Sequence, residues 1–283
     1  MKRADAATAG HLPGAKLKTD RMPGHWLLAR LGKRVLRPGG LAMTRQLLTD
    51  LSVGPDDVVV ELAPGLGLTA GMILDRAPLA YVGVERDRDA AEWVKRRLPS
   101  RANVSVRVGS ADTTGLKAES ATAVLGEAML SMHSLQQKRK IMEEACRILE
   151  TGGRYAIHEL LIVPDDVPDE VKQEIEQTLS EAIHVAARPL TEAEWRSCME
   201  QAGFDVVSVR QAPMSLLQPA RIVADEGVFR AMRFVFNVLR DPDARRRVLL
   251  MRKTFTKYRD YLRGCAIVGV KNGSGPVSSK LTS

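Results

Sequence analysis

Two carboxylates flank a glycine-rich turn between Val58 and Glu85, at spacings that suit the binding of a nucleoside. Val58-Val59-Val60-Glu61-Leu62 is a short, β-branched apolar run, the texture of a buried parallel strand. Ala63-Pro64-Gly65-Leu66-Gly67 ends it, and Gly65–Ala70 matches G-x-G-x-x-A at the start of a helical stretch. Strand, tight glycine loop and helix together cradle a nucleotide or a related cofactor. Glu85 stands 18 residues beyond Gly67, at the end of the next strand, where a carboxylate accepts hydrogen bonds from ribose hydroxyls. An adenosine-type cofactor fits this pattern; the plainer reading is a structural strand-to-helix turn.

Glu61 narrows the choice. Four residues before Gly65, its charge would repel a pyrophosphate. A phosphate-free cofactor with an ammonium and a sulfonium, S-adenosylmethionine, gains from it. VVVELAPGLG over Val58–Gly67 resembles the first motif of class I S-adenosylmethionine-dependent methyltransferases, small-molecule type, similar to the ubiquinone/menaquinone methyltransferases. Ala63 stands where that family has its first glycine. Gly109-Ser110-Ala111-Asp112 is similar to the third motif, and Leu149-Glu150-Thr151-Gly152-Gly153 to the L-x-P-G-G before strand five, with Thr151 replacing proline. The resemblance runs from about Gly39 to Val270. It implies S-adenosyl-L-methionine along Glu61, Ala63, Pro64, Gly65 and Gly67. Its ribose would lie at Glu85 with Arg86, its adenine edge at Ala111 and Asp112, and Thr44 would reach the cofactor from the N-terminal segment. The implied fold is α/β: a Rossmann-like seven-stranded, mostly parallel sheet with the last strand antiparallel.

Methyl transfer from a sulfonium is an in-line displacement with a good leaving group, so positioning carries much of the catalysis. A base is needed only where the acceptor holds a proton. Glu127, after strand four in Leu125-Gly126-Glu127-Ala128-Met129, is a charge among small and apolar residues. Beside a sulfonium it would stay ionised and orient donor or acceptor; otherwise it is a surface or helix-start carboxylate. His158-Glu159 ends strand five; neighbours on a strand point to opposite faces, so the two do not both reach one acceptor. His133 follows Met132 in a loop. Glu127, His158 and His133 are the catalytic candidates, each weighed against a structural role. No cluster at metal-ligand spacing occurs.

These residues need a scaffold, and the chain supplies alternating strands and helices. Strands are expected at 58–62, 81–85, 104–108, 121–126, 154–161, 204–209 and 265–271. Helices lie between them, one opened by Ser134-Leu135-Gln136-Gln137 and another by Thr191-Glu192-Ala193-Glu194. Helices near 26–36 and 41–51 precede the sheet. One methyltransferase domain is expected over 24–271, between a disordered basic arm at 1–23 and a polar tail from 272. Two helical insertions, 163–189 and 216–262, are expected to form a lid. Within the second, Val228–Arg240 carries Arg230, Arg233, Asn237 and Arg240 on one stripe and Phe229, Phe234 and Phe236 on a broad apolar arc. That arc is expected to face the acceptor, with membrane-surface contact or a dimer interface as alternatives.

The 283 residues are 45% hydrophobic and 27% charged, which excludes wholesale disorder. No apolar run is long enough to span a bilayer, and the basic N-terminus has no apolar stretch of a signal peptide. Three scattered cysteines suit a reducing, cytoplasmic setting. Residues 1–40 carry nine basic against two acidic residues, and 240–263 nine against three, around a mildly acidic centre. Basic ends invite nucleic acid. Against it, the segment after strand four lacks the Asp/Asn-Pro-Pro-aromatic of amine methyltransferases, and aromatics are only 4%. A small-molecule substrate is favoured. A nucleic-acid methyltransferase and an NAD(P)-binding oxidoreductase are the alternatives, and Glu61 weighs against the latter.

Overall fold

The computed structural model describes residues 12–14 and 17–273. Seven strands form one sheet: β1 (Val58–Leu62), β2 (Ala80–Glu85), β3 (Val104–Val108), β4 (Ala121–Glu127), β5 (Leu149–Ile162), β6 (Phe204–Pro213) and β7 (Leu262–Lys271). Their order is β3-β2-β1-β4-β5-β7-β6. The first five are parallel, and β7 runs antiparallel between β5 and β6. The expected fold class is therefore the observed one. Strand order reverses at β1, which pairs with both β2 and β4, so the crevice at the carboxyl ends of β1, β2 and β4 is where such a sheet binds ligands.

Helices α1 (Gly24–Arg30) and α2 (Gly40–Asp50) precede the sheet. Then come α3 (Leu68–Leu74), α4 (Arg88–Lys95), α5 (Leu135–Ile148), α6 (Asp169–Ile183), α7 (Glu192–Gln201), α8 (Pro219–Glu226), α9 (Val228–Arg240) and α10 (Pro242–Lys257). Alternation along the central strands splits the core. Val60, Leu62 and Val124 pack with α5 and α7, while Val59, Ala123 and Leu125 pack with α2 and α3. Both expected caps form. Ser134 Oγ accepts from Gln137 N, and Thr191 and Glu194 make a full capping box. Gln137 departs from the box, because its side chain donates to Asp112 instead.

A third core gathers α1, α6, α8, α9 and α10 against the ends of β5 and β7 at Ile162 and Leu262. Both insertions are helical. Lys33 lies fully buried beside Asp225 and Glu226 at the end of α8. Glu226 accepts from the backbone N–H groups of Arg34 and Val35, and Asp225 from that of Leu41. The chain between α1 and α2 is thus tied to α8.

Two expectations change here. Of the disordered arm at 1–23, residues 1–11, 15 and 16 lie outside the described residues, as do 274–283 of the tail. Within 17–23, however, Met22 is fully buried, and Arg247 donates to the carbonyls of Thr19 and Met22. The apolar arc of α9 does not face an acceptor site. Ala231, Phe234 and Val238 pack inward, while Phe229, Met232, Val235, Phe236 and Leu239 are exposed. The inner face needs only three residues in i, i+3, i+7 register to join the core, which leaves the wider arc outside.

Candidate active site

A cavity of about 460 Å³ opens at the carboxyl ends of β1, β2 and β4. The loop after β1 forms one wall. Ala63 (φ 54°), Gly65 (φ 57°) and Gly67 (φ 77°) are all left-handed, which turns the chain sharply into α3. At Gly65 an added Cβ would meet no protein atom nearer than the Ala63 carbonyl, 3.8 Å away; it would occupy open cavity instead. Glu85 Oε2 accepts from Gly65 N at 3.3 Å and Oε1 from Asp87 N at 3.0 Å, so this carboxylate both braces the loop and borders the cavity. Burial raises its pKa, against the pull of those N–H donors.

Glu61 also lines the cavity. Tyr81 donates its hydroxyl to Oε2 at 2.7 Å. Burial pushes the Glu61 carboxyl up to about 8, and the nearby Glu127 charge adds to the rise. A cation placed beside it would restore its charge.

Glu127 ends β4 at the floor of the site. Its Oε1 accepts from Thr44 Oγ1 at 2.7 Å and faces His158 Nδ1 at 2.9 Å. Its Oε2 is held by Arg37 and Thr69. Burial alone would raise this carboxyl, but Arg37 and then His158 hold it down at about 2. Glu127 is therefore a fixed anion whose oxygens are already partnered. It anchors the N-terminal segment and is no proton acceptor at neutral pH. His158 is 0% exposed, and its Nε2 accepts from Gly39 N at 3.0 Å. An accepting Nε2 leaves the proton on Nδ1, donated to Glu127. Both nitrogens are used, and the ring does not border the cavity, so His158 stands behind the wall that Glu127 forms.

Of the expected cofactor residues, Glu61, Ala63, Pro64, Gly65, Glu85, Arg86 and Ala111 line the cavity. Three stand behind it. Gly67 packs against Val94, Thr44 is spent on Glu127, and Asp112 accepts from Ser110 Oγ and Gln137 Nε2. Those donors lower the Asp112 pKa. His133 lines the cavity, its pKa lowered first by burial and then by Arg86. Glu159 is fully buried and accepts from Met129 N, Leu130 N, Ser131 N and Ser131 Oγ at 2.7–3.0 Å. It fastens the loop after β4.

Sequence reasoning missed Arg37 and His25. Arg37 carries no local signal, because its partner Glu127 lies 90 residues on. His25 begins α1 beside Trp26, the ring centroids 4.7 Å apart. A second, apolar cavity of about 90 Å³ lies under α1, α6 and α10, lined by Leu28, Leu179, Ile183, Met251 and Phe255 among others. The two cavities share His25, Leu36, Ala128, Met132 and Val185 as walls. Burial lowers His25 to about 4, so its imidazole is neutral at neutral pH. A lone histidine beside a tryptophan, at the head of an apolar helix, was the available signal.

Comparison with known proteins places the chain among methyltransferases. Residues 60–157 match the family model described as a methyltransferase domain. A Haemophilus influenzae protein described as uncharacterized is 30% identical over 251 residues, covering 88% of this chain and 98% of its own. Ribosomal RNA small subunit methyltransferase A of Cupriavidus metallidurans is 36% identical over 85 residues, 30% of each chain. Geranyl diphosphate C-methyltransferase from Streptomyces coelicolor, solved with Mg2+, geranyl diphosphate and S-adenosyl-L-homocysteine, shares the fold with a TM-score of 0.59 and 16% identity over 81% of this chain and 78% of its own. Strand order, the glycine loop between two carboxylates and the matched domain make the chain a member of the class I S-adenosylmethionine-dependent methyltransferases.

Proposed function

We propose that the protein transfers a methyl group to a small, partly apolar acceptor. The observation that carries this is the junction of the two cavities at His25, Leu36, Ala128, Met132 and Val185. The larger cavity suits S-adenosylmethionine on its own terms. A Cβ at Gly65 would project into it, and a buried, protonation-prone Glu61 awaits a cation. That cofactor supplies a methyl activated by its sulfonium. Glu61 binds its cationic end, and Glu85 accepts from its hydroxyls while bracing Gly65. Arg86 and Ala111 border the far end.

The acceptor's apolar part enters the smaller cavity between α1, α6 and α10. Its polar atom stays at the junction, where neutral His25 accepts a hydrogen bond from an O–H or N–H and orients it. Leu36, Met132 and Val185 exclude water there. Glu127 keeps Arg37 paired and so stops that cation from opposing a sulfonium. A quinone-like acceptor is one member of this class, supported by the motif resemblance alone.

The match to a ribosomal RNA methyltransferase favours a second reading, with an RNA base as acceptor. The loop Ala128–Ser134 holds no Phe, Tyr or Trp to stack a base, which weighs against it. Calorimetry with S-adenosylhomocysteine against NAD tests the cofactor. A tritiated-methyl screen over lipophilic phenols, amines and thiols, with 16S ribosomal RNA as a separate arm, tests the acceptor. Label in RNA alone overturns the proposal.

A further inference from the structure

The outer face of α9 is built for something other than the fold. Phe229 is 88% exposed and Phe236 60%, and Met232, Val235 and Leu239 are exposed beside them. At 100° per residue these five span about a third of the helix circumference. Arg233 and Arg240 border that arc, and Arg230 lies further round on the same side. The helix is already held by Ala231, Phe234 and Val238 and by the Asn237 amide, which donates to the Leu31 carbonyl. Folding therefore does not require the outward aromatics. On α10, which packs against α9, Leu249 and Leu250 are exposed too, among Arg245, Arg246, Arg252 and Lys253.

We propose that this face docks the protein on an anionic membrane surface. Charge selects the occupant. Residues 228–253 hold eight basic against two acidic residues. A second copy of this chain, seated by a two-fold axis, would set that positive charge against itself. Anionic headgroups complement it, and the exposed apolar arc enters the headgroup–acyl boundary, with arginine stems running along it. Nucleic acid would engage the arginines but leave the phenylalanines in water. The helix lies on the surface and does not cross it: no described helix is long and apolar enough to span a bilayer. This proposal rests on the exposed face alone and is independent of the acceptor's identity.

The test is co-sedimentation of the full chain with phosphatidylcholine vesicles, with and without phosphatidylglycerol. The anionic vesicles should bind roughly tenfold or more protein, with binding that falls as salt rises. Phe229→Ser/Phe236→Ser should lose at least about tenfold of that binding. Its circular dichroism and S-adenosylhomocysteine affinity should match the parent, because neither side chain supports the core or the cavity. Arg230→Glu/Arg240→Glu should weaken anionic binding in the same way. Failure of the parent to bind either vesicle overturns the proposal, as does vesicle binding that is indifferent to the phenylalanines. A parent dimer in sedimentation equilibrium that the phenylalanine variant dissolves also overturns it, and makes the face a self-association surface. RNA binding at this face that survives the phenylalanine change and displaces vesicles overturns it in favour of nucleic acid.

Discussion

His158 Nδ1 lies 2.9 Å from Glu127 Oε1, while its Nε2 accepts the Gly39 N–H at 3.0 Å. One buried imidazole thus links the ends of β4 and β5 to the turn that starts α2. The backbone is close-packed there: a Cβ on Gly39 would come within 2.9 Å of His158 Nε2, and a Cβ on Gly264 within 2.6 Å of Gly39 N. With Arg37 on the other carboxylate oxygen, Glu127 secures the N-terminal wall of the cofactor cavity. Removing one partner of a buried ion pair costs about 3–5 kcal/mol. Glu127→Ala should therefore lose about that much stability in urea unfolding. Because Glu127 stays ionised down to about pH 2, it should contribute no ionisation to the pH–rate profile between 5 and 9. An acidic limb near neutrality that vanishes in the conservative Glu127→Gln would show that it accepts protons after all.

Glu61 opposes stability with cofactor binding. Its folded pKa, about 8, lies above the ordinary 4.5 of an unfolded chain. The folded state then binds the extra proton, so the contribution is full below pH 4.5 and is lost as pH rises through 8. Glu61→Gln should raise the melting temperature of the cofactor-free protein at pH 8 and weaken S-adenosylmethionine by tenfold or more, since a charged hydrogen bond is worth about 1.5–3 kcal/mol. Binding to the parent at pH 7 should release a proton as Glu61 ionises. Calorimetry in buffers of different ionisation enthalpy reads that release, and a heat independent of buffer would count against it.

Glu85 braces Gly65 N and, in the function proposed above, also meets the ribose. Glu85→Ala should lower S-adenosylhomocysteine affinity roughly tenfold or more. Asp87→Asn, which keeps its backbone N–H on Glu85 and its cap on α4, should change it little. Equal losses in the two variants would place the effect in the helix rather than in the carboxylate.

Ala63 occupies left-handed backbone at φ 54°, a conformation that costs an L-residue about 1–2 kcal/mol and glycine almost nothing. Glycine's greater freedom in the unfolded chain offsets roughly 0.4–1 kcal/mol of that. Ala63→Gly should thus raise stability by up to about 1.6 kcal/mol in urea unfolding, with cofactor affinity retained. A destabilised variant would show that the Ala63 methyl makes a contact worth more than the strain.

His25 should matter to the acceptor and not to the cofactor. His25→Phe keeps a ring beside Trp26, so S-adenosylhomocysteine affinity should hold while kcat/KM for an O–H or N–H acceptor drops about threefold to tenfold. The His25 pKa, about 4, is depressed from 6.5. The unfolded state binds the proton first, so stability from the neutral ring is full above pH 6.5 and is lost as pH falls toward 4. The parent should lose stability relative to His25→Phe over that window. Parallel stability curves would mean that the ring is not buried as neutral imidazole.

The sequence alone determined the sheet, the glycine loop and the flanking carboxylates. Each is written in contiguous residues: a β-branched run, a turn that needs left-handed backbone, an acid at a strand end. Glu85 could be placed because it ends β2, and Glu61 and Gly65 because they lie at the end of β1 and in the turn that follows it, whereas Ala111 was reached only through the motif resemblance. Only the tertiary structure decided what Glu127 and His158 do. Their partners Arg37, Thr69 and Gly39 come from other elements up to 119 residues away, and no local pattern encodes such a pairing. The same limit hid His25, whose role depends on where α6 and α10 leave a gap. For α9, periodicity announced an amphipathic helix but not which arc would be inside. Three residues in register sufficed to bury it, and the helices packed beneath left six apolar neighbours facing outward, Val228 among them.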